Sequence, residues 1–218
     1  MSHKSFLVED MYLSDAMTYR VGDTLKFEAP DWDYIYELCL ELAEMIERSG
    51  FKPDMIVGIA RGGWIPARLL SDFLLNPNVA SMKVEFYVSI GETMKEPVIT
   101  QDISVNIEGL KILVVDDVAD TGKSLKLVKE RLESMGAREV RVATIYYKPW
   151  SIFKPDFYVK TTDAWIIFPH EVRESIEILY EKFKREGRSI DDLRRLLIEA
   201  GLKPLLVDKF LRWAVRYG

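Results

Sequence analysis

The chain has 218 residues, of which 48% are hydrophobic and 30% charged, and its formal net charge is -5 at pH 7. That length and apolar content suit one substantial domain with an appendage, and the acidic balance argues against broad nucleic-acid binding. A single cysteine, Cys39, excludes an internal disulfide, and with only His3 and His170 beside it the chain is poorly equipped for a zinc site.

Residues 1–29 carry no sustained apolar period and are expected to form an N-terminal arm that packs on the body or on a partner subunit. The first residues, MSHKSFLVEDMY, lack a signal-peptide core, and no apolar run approaches the roughly 20 residues that span a bilayer. The expected location is therefore the cytoplasm, with no membrane partner. Asp31 or Asp33 can cap a helix whose apolar positions Ile35, Leu38, Leu42 and Ile46 recur at helical spacing, and Gly50 can close it. Cys39 falls on the apolar face of that helix, as a core residue and not a nucleophile. Met55 to Ala60 reads as a buried strand, Pro66 suits the first turn of a helix through Phe73, and Val84 to Ile90 reads as the next strand. Gly91 to Asn106 is polar, long for a loop in a compact domain, and such loops are usually functional or disordered.

Ile112 to Leu125 reads ILVVDDVADTGKSL. A short β-branched stretch from Ile112 reads as a buried strand, Gly122 lets the chain turn sharply into a helix from about Ser124 to Met135, and that helix start carries Asp116, Asp117 and Asp120. Backbone N–H groups at that helix start, together with the helix dipole, favour an anion such as phosphate. Three carboxylates beside the same helix start would repel a bare phosphate, so the ligand must also offer ribose hydroxyls or Mg²⁺. A Walker A reading fails because that motif needs glycine five residues before Gly122, where Asp117 stands. The helix stops at Gly136, and Val140 to Tyr147 forms a further strand. The β/α alternation predicts a mostly parallel, right-handed sheet with helices on both faces. Ligands of such sheets lie beyond the carboxyl ends of the strands, where Arg61 to Gly63, Asp116 to Ser124 and Lys148 all fall.

From Val172 onward the chain carries eleven Lys and Arg against eight Asp and Glu, a reversal of the charge balance that marks a boundary. Three amphipathic segments follow, separated by Gly187 and Gly201, with Ser189 and Asp192 forming a near capping box and Pro204 at a helix start. They predict a small helical bundle.

The Asp116-Asp117 to Ser124 run resembles the PRPP-binding motif of type I phosphoribosyltransferases. That resemblance implies an α/β fold with a five-stranded, mostly parallel sheet flanked by helices, here carrying a C-terminal three-helix bundle. The implied divisions are an arm at 1–29, a core with its base-binding segment at 30–171 and the bundle at 172–218. It also implies that Asp116 and Asp117 hold the ribose hydroxyls and the waters of a Mg²⁺ ion, that Thr121, Gly122, Lys123 and Ser124 bind the 5′-phosphate, and that Lys123 acts more through its backbone than its charge. Asp120 would be the catalytic residue, relaying a proton at N7 while purine N9 attacks C1 of the ribose and pyrophosphate leaves. Arg61-Gly62-Gly63 is similar to the pyrophosphate loop of the 6-oxopurine enzymes. Lys148 and the Trp165-Ile166 pair resemble their base pocket, with the lysine reading an exocyclic oxygen and the indole stacking on the ring. Glu171, six residues beyond Trp165, matches an acid that contacts the metal through water, and Ser89 matches a lid-loop serine.

Two features disagree about the base. Lys148 and Trp165-Ile166 look like a 6-oxopurine enzyme. The core with a C-terminal bundle resembles the crenarchaeal adenine phosphoribosyltransferases and tips the expectation to adenine, giving AMP from adenine and PRPP. The alternatives are a hypoxanthine, guanine or xanthine enzyme and, in a different class, a PRPP-binding transcriptional regulator. The family also implies a homodimer.

Overall fold

The computed structural model describes residues 18–21, 25–88 and 95–217. In chain order the elements are β1 (Thr18–Val21), β2 (Leu25–Glu28), α1 (Trp32–Arg48), β3 (Met55–Ala60), α2 (Trp64–Phe73), β4 (Val79–Val88), β5 (Lys95–Gln101) and β6 (Lys111–Ala119). There follow α3 (Lys123–Ser134), β7 (Glu139–Tyr147), β8 (Phe157–Thr161), β9 (Trp165–Ile166), α4 (Val172–Arg185), α5 (Ile190–Glu199) and α6 (Pro204–Tyr217). No helix among the described residues is long and apolar enough to cross a membrane.

Two compact units divide at Asp163/Ala164, with the residues through Tyr34 joining the C-terminal one. In the larger, Ile35 to Asp163, a six-stranded sheet has the order β5-β4-β3-β6-β7-β8. Five neighbouring strands run parallel, as expected, and β5 adds an antiparallel edge. The α/β class is as the sequence indicates. Helix α1 starts where its cap requires: the Asp31 carboxylate accepts the Tyr34 N–H at 2.9 Å. Leu38, Leu42 and Ile46 are fully buried on its inner face. Leu42 and Ile46 join α2's Ala67 and Leu70 and the inner residues Ile56, Leu113 and Val115 in one core cluster. The opposite sheet face packs Val57, Ile59, Val114 and Val142 against Leu125, Val128 and Leu132 of α3.

Four expectations need correction. The stretch from 91 to 106 is not one loop, because Lys95–Gln101 is a strand pairing with β4. Its alternation is weak, with Pro97 and Ile99 half-buried and Val98 and Thr100 exposed, as suits an edge strand. Strand β4 begins at Val79, five residues earlier than its apolar pattern indicates, because parallel pairing with β3 starts there. Asp116 and Asp117 lie within the long strand β6, not at the helix start. Strand β8 carries only a short half-buried pattern and has no counterpart among the expected elements.

In the smaller unit, β1, β2 and β9 form a three-stranded sheet, with Phe27 opposite Trp165 and Glu28 opposite Ile166. The three expected helices are present. Ser189 caps α5 by accepting the Asp192 N–H at 3.0 Å, and Gly187 and Gly201 take positive φ at the helix ends. Ile176, Leu179, Phe183, Leu193, Leu197, Val207 and Leu211 close one core with Phe27 and Ile167. A bidentate pair from Arg194 to Asp208, at 2.6 and 3.2 Å, ties α5 to α6. It raises the arginine pKa and lowers that of the aspartate, hydrogen bonding being the larger cause in each.

Candidate active site

Strands β3, β6 and β7 end side by side, and the loops that leave them build one site in the larger unit. A pocket of about 600 Å³ is lined by Asp116, Asp117, Asp120 and Thr121 to Ser124, with Phe86 from β4. Strand β6 sets the acid pair. Asp117 is buried at 7% exposure while Asp116 is half-buried, and the Asp116 carboxylate accepts the Asp117 N–H at 3.0 Å. Side chains alternate along a strand, so the two carboxylates leave it in opposite directions.

Helix α3 begins without a side-chain cap among the described residues. Its N-cap is Gly122 with φ of 77°, no described side chain caps it, and its first turn holds no acid. The first intrahelical bond runs from Lys126 N–H to Gly122 O at 3.1 Å. The N–H groups of Gly122 to Leu125 therefore have no carbonyl of their own helix to bond, and that of Lys123 donates weakly to Thr121 Oγ1 at 3.4 Å. An anion completes such a terminus. Lys123 Nζ contacts Glu96 of β5 at 2.7 Å, so the lysine charge is engaged across to the sheet edge.

The Arg61-Gly62-Gly63 loop leaves β3 through a cis Ala60–Arg61 peptide bond and enters α2 at Gly63, whose N–H donates to Ile59 O at 2.9 Å. Arg61 is exposed. A Cβ on Gly62 would overlap the Asp117 carboxylate, so a larger residue there would have to displace that side chain for the loop to pass. The structure thus brings the expected pyrophosphate loop against Asp117, one of the two expected ribose carboxylates.

Lys148 follows β7 and is buried at 6% exposure. Its N–H donates to Ala119 O at 3.0 Å, which extends the β6–β7 ladder beside Asp120. Its Nζ lies 5.5 Å from the centroid of the Trp150 ring, and the Trp150 indole N–H donates to Asp120 Oδ1 at 3.1 Å. Trp150 and Glu96 were not among the expected site residues; the only hint of the former is its place two residues after Lys148. Trp165, exposed at 39%, and Ile166, buried, form β9 in the smaller unit. Glu171, half-buried, is the N-cap of α4 in that same unit. Ser89 lies outside the described residues.

Cys39 is a core residue. Burial pushes its thiol up to about 12, so the reactive thiolate is scarce near neutrality. Iodoacetamide at pH 8 is expected to leave the folded protein unmodified and to alkylate Cys39 once urea unfolds it, as mass spectrometry would record. Rapid alkylation of folded protein would contradict that burial.

A family model described as phosphoribosyl transferase domain matches residues 31–177. The chain is 31% identical over 157 residues to the xanthine-guanine phosphoribosyltransferase of Ruegeria sp. (strain TM1040), a match covering 65% of this chain and 83% of that one. It is 29% identical over 131 residues to the hypoxanthine-guanine phosphoribosyltransferase of Saccharomyces cerevisiae, covering 52% of this chain and 58% of the yeast protein. Among solved structures, the purine phosphoribosyltransferase from Pyrococcus horikoshii Ot3 superposes with a TM-score of 0.60 at 38% identity, over 66% of this chain and 93% of that one. An uncapped helix start behind two strand-borne carboxylates suits a phosphorylated ribose, and the match over residues 31–177 shows the membership: the chain belongs to the phosphoribosyltransferase family.

Proposed function

We propose that the protein is a purine phosphoribosyltransferase of nucleotide salvage, joining a purine base to PRPP to give a nucleoside monophosphate and pyrophosphate. The observation that carries this reading is the pocket in which the uncapped start of α3 and the carboxylates of β6 meet. One group is suited to a 5′-phosphate and the other to ribose hydroxyls, and neither alone suits both. Relatives named for purine transfer support the same conclusion.

Asp116 and Asp117 each offer hard carboxylate oxygens to the pocket, and such donors, directly or through water, fit Mg²⁺. Bound there, Mg²⁺ would offset the charge of the departing pyrophosphate. Around it, the N–H groups of Gly122 to Ser124 hold the 5′-phosphate, and Gly62 and Gly63 keep the pyrophosphate loop close to Asp117. Asp120 accepts the purine proton as N9 becomes the nucleophile. Glu171 as a further water-mediated metal contact, Trp165 and Ile166 as base contacts, Ser89 as a lid residue and a homodimer in solution belong to the same proposal.

For the acceptor we favour a 6-oxopurine. A lysine ammonium has three donors and no acceptor, so Lys148 pairs with an exocyclic oxygen and gains nothing from a 6-amino group. The xanthine-guanine and hypoxanthine-guanine names of the relatives agree with it and do not support the adenine preference that the sequence layout suggests. Adenine is the second reading, carried by the appended helices α4 to α6. Incubation with PRPP and Mg²⁺ and, separately, adenine, hypoxanthine, guanine, xanthine and uracil, with pyrophosphate release measured, should give turnover with the 6-oxopurines. Turnover with adenine alone would reverse the choice of base. Silence with every base, accompanied by salt-sensitive DNA binding, would point to the regulator instead.

A further inference from the structure

The turn after β7 is fastened to the phosphate loop on both sides of Asp120. Lys148 N–H donates to Ala119 O and Ile152 N–H donates to Thr121 O, each at 3.0 Å, so the residues flanking Asp120 both accept from this turn. The turn closes on itself through Ser151 N–H to Lys148 O, also at 3.0 Å. Between those fastenings stands Trp150, exposed at 54%. An exposed indole usually leaves its N–H to water, but here it donates to Asp120 Oδ1 at 3.1 Å. The face of the same ring lies 5.5 Å from Lys148 Nζ, within reach of a cation–π attraction.

We propose that Trp150 is the positioning residue of the base half of the site, its indole edge orienting Asp120 and its face holding Lys148. This rests on the roles given above to Asp120 and Lys148. A carboxylate with both oxygens in water samples many rotamers, whereas one with an oxygen held by a donor on a clamped turn presents the other in a fixed direction. Proton transfer depends steeply on that direction. A lysine side chain loses considerable rotamer freedom when it reads a base, and resting it against an aromatic face in advance reduces that loss. One side chain thus serves the two groups that must meet the purine, without itself taking part in the chemistry.

The test compares wild type, Trp150→Phe, Trp150→Leu, Asp120→Asn and the double variant Trp150→Phe/Asp120→Asn, following kcat, KM for PRPP, KM for the purine and melting temperature. Phe keeps a ring face and removes the N–H, so kcat should fall about tenfold, as loss of a hydrogen bond to a charged group implies, with KM for PRPP unchanged. Leu removes the face as well, and KM for the purine should then rise in addition to the fall in kcat. In the Asp120→Asn background, Trp150→Phe should change kcat by less than about twofold, because the indole edge acts through that carboxylate. Unchanged kcat in Trp150→Phe overturns the proposal. So does a parallel loss of kcat, PRPP affinity and melting temperature, or a full further loss in the double variant, since either marks a merely structural turn. Wild type that turns over no purine would instead defeat the functional reading itself.

Discussion

Asp120→Asn should lower kcat by about 10²- to 10⁴-fold, the range for removal of a positioned general acid or base. KM for PRPP should stay close to wild type. The asymmetry follows from the architecture. The N–H groups proposed for the 5′-phosphate belong to the backbone of Gly122 to Ser124, and the carboxylates proposed for the ribose are Asp116 and Asp117 on β6. Asp120 lies at the loop's start with its carboxylate on Trp150, and Asn keeps the shape and an oxygen that can accept the indole N–H. What is lost is the ability to take a proton. Isothermal titration with PRPP and steady-state kinetics with the purine separate the two. Equal losses in binding and turnover would show that Asp120 belongs to donor binding instead.

Gly122→Ala should be the most damaging single-methyl change in the phosphate loop. The residue has φ of 77°, where an L side chain costs about 1–2 kcal/mol. Its Cβ would also collide with Ser151 Oγ and lie 2.7 Å from Phe153 N, on the turn that fastens the loop. Overpacking of that kind adds roughly 1–3 kcal/mol. The melting temperature should fall by about 2–4 °C for each kcal/mol lost in a chain of this size. Because the clash pushes the phosphate cradle away from the turn that carries Lys148 and Trp150, kcat/KM for PRPP should fall by about 10²-fold. Gly109→Ala supplies the control. It has φ of 75° with nothing within 4 Å of a Cβ, so it isolates the conformational cost. If the two variants melt together and both retain activity, the packing argument fails.

Much of this architecture is written locally. Helix α1 follows from Asp31 and a run of apolar residues at helical spacing, β3 from six consecutive apolar or small residues, and α5 from Ser189 three residues ahead of Asp192. The loop before α3 is equally local, since a glycine able to take positive φ, followed by a helix, needs nothing distant to present N–H groups that no helix carbonyl takes up. Strands β5 and β8 escape such reading because each covers an edge of the sheet. An edge strand buries few side chains and need not be strongly apolar. Strand β9 escapes because two residues carry no period, and only pairing with β2 defines them.

The sequence by itself determined the family, the α/β core, the glycine-led helix start after β6, the Asp116-Asp117 pair and the helical appendage, because the elements of each are read from short runs of neighbouring residues. Tertiary structure alone decided which groups face one another. The β6–β7 register, with Ala119 opposite Tyr147, sets the following turn beside Asp120 and so brings Trp150 onto its carboxylate across 30 residues. Pairing of β4 with β5 carries Glu96 to Lys123 across 27 residues. The path of the β3 loop brings Gly62 against Asp117. Contacts of this kind depend on strand order and register, which are fixed by burial of the whole sheet and not by any segment within it.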